Sequence, residues 1–169
     1  MIIAPARQST LPPPDKPLVE NPVKVTMDIP LFYATERGPV AWDHTVFCSE
    51  AFAKTVLQTV TDLLLPQGLG LVHIGFYNPR MARKKGGTLI EPIRWSNHAY
   101  GEAMDFKGVM TEGGEFLSLD YVGKGAPVMD KELFKEIWQG CAEAIRAIDR
   151  TPEIVSEGAW VHIGIWPKT

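Results

Sequence analysis

Three side chains in this sequence have the chemistry of a metal site: His98, Asp105 and His162. Only four histidines occur in 169 residues, and two of them belong to this set. His98 stands near the end of a loop in "RWSNHAYGEAMDF" (94–106), and Asp105 lies inside the strand expected to follow. A turn at Tyr100-Gly101 lets both side chains reach one point, with glycine relieving the crowding of the backbone there. An imidazole and a carboxylate suit zinc (Zn2+), which in catalytic sites takes three protein ligands and keeps a fourth position for water. The third ligand is sought in "AWVHIGIW" (159–166). Strand alternation sets His162 with Trp160 and Gly164 on one face, and Val161, Ile163 and Ile165 on the other. A polar ring in an otherwise apolar strand must find a partner. His44 and His73 have no motif around them and read as capping or core polar groups.

The elements that must position these residues follow from periodicity. Ser49 caps a helix whose apolar face is Phe52, Val56, Val60, Leu63 and Leu64, ending near Pro66-Gln67-Gly68. "GLVHIGFY" (70–77) has the β-branched and aromatic content of a strand. "NPRMARKKGGTLIEP" (78–92) is basic, Gly-containing and bracketed by prolines, so it is a long loop of the kind that often binds. In "GEAMDFKGVM" Ala103, Asp105 and Lys107 share one face of a strand, with Met104 and Phe106 on the other. A turn follows at Glu112-Gly113-Gly114. Asp130 caps a second helix with a stripe of Leu133, Phe134, Ile137, Trp138, Cys141, Ile145 and Ile148. The expected fold is α+β: a small antiparallel sheet carrying the zinc site, flanked by two main helices.

Half of the 14 prolines fall in the first 30 residues. "LPPPDKPLVENPVKV" cannot hold a helix and lacks many strand donors. Residues 1–26 are therefore expected as an extended Pro-rich arm, either a free tail or a segment that orders on a neighbouring subunit. Residues 27–169 form the domain that carries the site.

Bulk properties narrow the function classes. A net charge of −3 gives no electrostatic reason to expect nucleic acid or an anionic membrane as partner. No apolar run approaches the roughly 18 residues of a membrane span. The first residues have no apolar stretch behind a basic start, so no secretory signal is expected. Cys48 and Cys141 read as buried free thiols.

"SNHAYGEAMDF" resembles the Ser-x-His-x-x-Gly-x-Ala-x-Asp signature of the LAS-type zinc peptidases, the D-alanyl-D-alanine carboxypeptidase (VanY-like) and phage endopeptidase group. Ser96 to Gly101 is especially similar to the extensin-like C-terminal domain branch. "WVHIG" resembles the later His motif of the group, and "HIGFYNPR" its Gly-x-Tyr-x-x-Arg lead-in, so the likeness spans roughly residues 68–166. It implies His98, Asp105 and His162 as zinc ligands. Two positions depart from the pattern. Trp160 stands where many members have the first His of His-x-His, and Ala159 where several have a catalytic carboxylate.

The resemblance implies a metallopeptidase acting on the peptide stems of peptidoglycan at a D,D- or L,D-type bond, as carboxypeptidase or endopeptidase. Such hydrolysis needs a carboxylate to take and return a proton. Glu157 is assigned that role, reaching the site by a bulge at Gly158, with Glu153 as the other candidate. Arg80, by its place in "FYNPR", is the group expected to face the oxyanion or a substrate carboxylate, with Arg94 second. Ser96 is expected to bond a ligand or a turn amide, and Trp160 to wall the pocket or pack as core. The Pro-rich arm and the acidic pI, about 5.8, suit a phage virion-associated hydrolase of the tail or baseplate. The arm would meet other virion subunits, and the enzyme would be in the virion, or in the host cytoplasm before release. The alternative is an inactive tail or baseplate subunit that keeps the peptidase fold.

Overall fold

The computed structural model describes residues 1–8, 17–84, 86–119 and 128–168. Among these residues the chain is mixed α+β, with two sheets and two principal helices. Strands β1 (Ile2–Pro5), β2 (Pro22–Thr26) and β5 (Val46–Ser49) make a three-stranded antiparallel sheet in the order β1-β2-β5. The larger sheet has seven strands. Its order is β4 (Gly38–Ala41), β3 (Leu31–Thr35), β6 (Gly70–Gly75), β7 (Ala103–Met110), β10 (Val161–Ile165) and β9 (Pro152–Ser156), with β8 (Phe116–Ser118) added on β7. All its neighbours are antiparallel except β3 and β6.

This sheet is larger than the small antiparallel one expected, and it is mixed. The strands not expected from the sequence, β3 and β4 here and β2 and β5 in the smaller sheet, are only four or five residues long. They contain Pro22, Gly38 and Pro39, and runs this short and interrupted carry little periodic signal. The expected arm boundary at residue 26 also shifts. Val23 and Val25 of β2 are buried in the main core, and β1 pairs beside them. Both ends of segment 1–26 are thus folded against the domain, while residues 9–16 lie outside the described residues.

The two helices were legible from their caps. Ser49 accepts from the Phe52 N–H at 3.1 Å, and Asp130 from the Leu133 N–H at 2.9 Å. The first helix runs through 50–64 with a π-helical stretch at Ala53–Leu57, and the second spans Lys131–Ala147. Phe52, Val56, Val60 and Leu64 of the first meet Ile137, Cys141 and Ile145 of the second in one core. Met104, Phe106, Ile163 and Ile165 of the central strands close that core. Ile148, expected in the buried stripe, is exposed at the helix end. The sheet therefore turns one face to the helices and leaves the other to Asp105 and His162. Cys48 and Cys141 are buried free thiols, both pushed up to about 12 by burial. No helix among the described residues is long and apolar enough to cross a membrane.

Candidate metal centre

The sheet register places two of the three candidate ligands side by side. Asp105 on β7 is directly opposite His162 on β10, which is opposite Val155 on β9. Directly opposed residues share a face, with Cβ atoms about 5 Å apart. His98 arrives from a short 3-10 turn, Asn97–Tyr100. Ser96 caps this turn, its hydroxyl accepting from the His98 N–H at 3.2 Å. Of its two expected roles, the structure gives Ser96 the turn amide. Gly101 ends the turn at φ +66°. Its carbonyl accepts from the Ser49 N–H at 3.0 Å, and a Cβ there would lie 3.0 Å from the Cα of Cys48. Only glycine meets both conditions.

His98, Asp105 and His162 offer ligand atoms that all lie within 4.8 Å of one another. His98 is buried, the other two nearly so. The hydrogen-bond pattern assigns the atoms. His98 Nδ1 is 2.6 Å from the carbonyl oxygen of Phe76. A carbonyl only accepts, so Nδ1 donates and Nε2 is the atom left to face the site. Nε2 stands 3.2 Å from Asp105 Oδ1, and His162 Nδ1 stands 3.3 Å from the same oxygen. Two imidazole nitrogens and one carboxylate oxygen thus converge. In the neutral ring His98 Nε2 turns a lone pair on the carboxylate, and His162 Nδ1 does the same in the tautomer protonated on Nε2. In that arrangement the lone pairs repel the carboxylate unless a cation, a proton or a metal ion, lies among them. The donor set fits a metal: two nitrogens, one oxygen, and an outer hydrogen bond orienting one ring. Where the cation is a proton, burial raises the Asp105 carboxyl, but hydrogen bonds from the protonated His162 and His98 rings, and then their charge, outweigh it and hold the group well below the usual range.

These candidate ligands line a cleft of about 520 Å³. Arg80, Arg94, Ser96, Trp160, Glu153 and Glu157 all line it, so every residue singled out from the sequence comes to one place. The cationic wall is Arg80, Arg83 and Lys84 of the expected loop with Arg94 just beyond it, and the loop folds back through bridges of Met81 with Trp95 and Arg83 with Leu89. Arg94 lies over the Trp166 ring at 4.7 Å, so its charge is partly engaged in a cation–π contact. Trp160 is half-buried at the rim.

The two carboxylates occupy different settings. Glu157, on the same face of the hairpin as His162, opens a tight turn closed by its N–H to Trp160 O at 2.9 Å, with Gly158 at φ +89°. Lys107 Nζ braces this turn by donating to Ala159 O at 2.6 Å. Glu153 lies deeper, one oxygen accepting from Asn97 Nδ2 at 2.5 Å and the other 3.9 Å from His162 Nε2. Asn97, Lys107 and the Phe76 carbonyl were given no role from the sequence. Lys107 had a signal, since it alternates with Asp105 on the site face. Asn97 and Phe76 had none, because their roles depend on backbone approach.

Comparison with protein-family models, with curated proteins and with solved structures returned no match for this chain.

Proposed function

We propose that the protein is a zinc-dependent peptidase of peptidoglycan stems, cutting a D,D- or L,D-type bond, and that it works from a phage virion. The observation that carries this reading is the convergence of His98 Nε2, His162 Nδ1 and Asp105 Oδ1 on one point in an open cleft. His98, Asp105 and His162 would hold the zinc ion, which when bound would supply Lewis acidity for activating a water near pH 7 and polarising a carbonyl.

The chain's own residues do the rest. Glu157, on the rim braced by Lys107, takes the proton of the attacking water and returns it to the leaving amine. Arg80 faces the oxyanion or a substrate carboxylate from the cationic wall, and Arg94, stacked on Trp166, is the lesser contributor. Trp160 walls the cleft against water. Partners of the virion would engage the N-terminal segment.

A second reading is an inactive tail or baseplate subunit. It is favoured by Ala159, which has no carboxylate and whose carbonyl is already bound by Lys107. Zinc per chain in the purified protein and in His162→Ala, measured with muropeptide release from isolated peptidoglycan, separates the two. About one zinc per chain, lost in the variant together with release, supports the peptidase. Zinc without release supports the inactive subunit, and no zinc refutes the metal reading.

A further inference from the structure

We infer that Glu153 and Asn97 are positioning residues for His162, forming an Asn97–Glu153–His162 relay that holds this ring for a metal ion; the inference rests on the metal reading above. His162 turns Nδ1 toward Asp105 at 3.3 Å, so Nδ1 is its ligating atom. A neutral imidazole that ligates through Nδ1 carries its proton on Nε2. That nitrogen is buried and, among the described residues, without a hydrogen-bond partner, a costly state for a donor. Glu153 Oε1 is 3.9 Å away, and a shift of about 1 Å brings it to a normal N–H···O length. Metal-bound histidines almost always give their other N–H to such an acceptor.

Two further features mark the contact as built. Asn97 Nδ2 holds the second oxygen of Glu153 at 2.5 Å and also donates to Ile165 O at 2.9 Å, so the carboxylate is aimed by the strand that bears His162. Gly164 is paired with Glu153 across the two strands. A Cβ there would sit 3.1 Å from His162 Nε2, so glycine keeps the path between ring and carboxylate clear. Asn97 is also the neighbour of His98 in the capped turn, and the relay therefore ties the support of one ligand to the backbone of another.

The test is zinc affinity by chelator competition, with the visible spectrum of the cobalt(II) form, for the unmutated protein, Glu153→Ala, Glu153→Gln and Asn97→Ala. Loss of the acceptor in Glu153→Ala is expected to weaken zinc about 10–100-fold and to alter the cobalt bands. Glu153→Gln, which keeps an acceptor oxygen, is expected to recover part of that loss, and Asn97→Ala to fall between. The urea midpoint of the metal-free variants reports folding separately. Unchanged zinc affinity in both Glu153 variants overturns the relay. If hydrolysis is also abolished there, Glu153 is the general base. An unmutated protein that binds no zinc overturns the relay together with the metal reading.

Discussion

Gly101→Ala tests how the turn bearing His98 is held. Gly101 has φ +66°, a conformation that costs an L-residue about 1–2 kcal/mol. The added Cβ would meet Cys48 Cα and Ser49 N, each at 3.0 Å. Both are backbone atoms at the junction of β5 and the first helix, and neither can swing aside. Overpacking of this kind costs about 1–3 kcal/mol. Reduced freedom of the unfolded chain offsets about 0.4–1 kcal/mol. The expected net loss is about 1–5 kcal/mol, or about 2–18 °C in melting temperature for a chain of this length. The Gly101 N–H also donates to His98 O at 3.2 Å, so on the zinc proposal displacing it should move the candidate ligand and weaken zinc as well. Urea and thermal melts of the metal-free protein give the first quantity, and chelator competition the second. A loss below about 0.5 kcal/mol with an unchanged m-value would refute the packing argument for glycine here.

Stability should fall on mild acidification, because burial pushes His73 down to about 4, with the Asp105 charge only partly opposing it. The folded pKa lies below the unfolded 6.5, so this stability is present above pH 6.5 and is lost as pH falls toward 4. Between pH 7 and 5 the loss is about 2 kcal/mol, and urea melts of His73→Leu should lack that slope. Arg150→Ala should cost about 3–5 kcal/mol, because it strands the buried Glu102 carboxylate 3.1 Å away without a counter-charge; Arg150→Ala with Glu102→Gln should recover much of it in the same melts. Zinc at 100 times its Kd should raise apparent stability by about 2.7 kcal/mol, an increment that disappears in Asp105→Ala. Glu157→Gln should abolish muropeptide release while keeping zinc; release at the unmutated rate would remove Glu157 from the mechanism.

What the sequence determined by itself was local. The Ser49 and Asp130 caps, the apolar stripes behind them and the alternation around Asp105 and His162 depend on neighbours within a turn or two, and each was legible. The three candidate ligands could be named because His162 and Asp105 are chemically conspicuous in apolar strands, and His98 because its spacing to Asp105 makes up a motif. Strands β2 to β5 and β9 were not legible, since runs this short take their stability from the strands they pair with rather than from their own pattern. Tertiary structure alone decided the atoms. Register set Asp105 opposite His162, the Phe76 carbonyl selected His98 Nε2, and the β9–β10 pairing brought Glu153 beneath His162. Each of these is a contact between residues distant in the chain, and its geometry exists only once the sheet has closed.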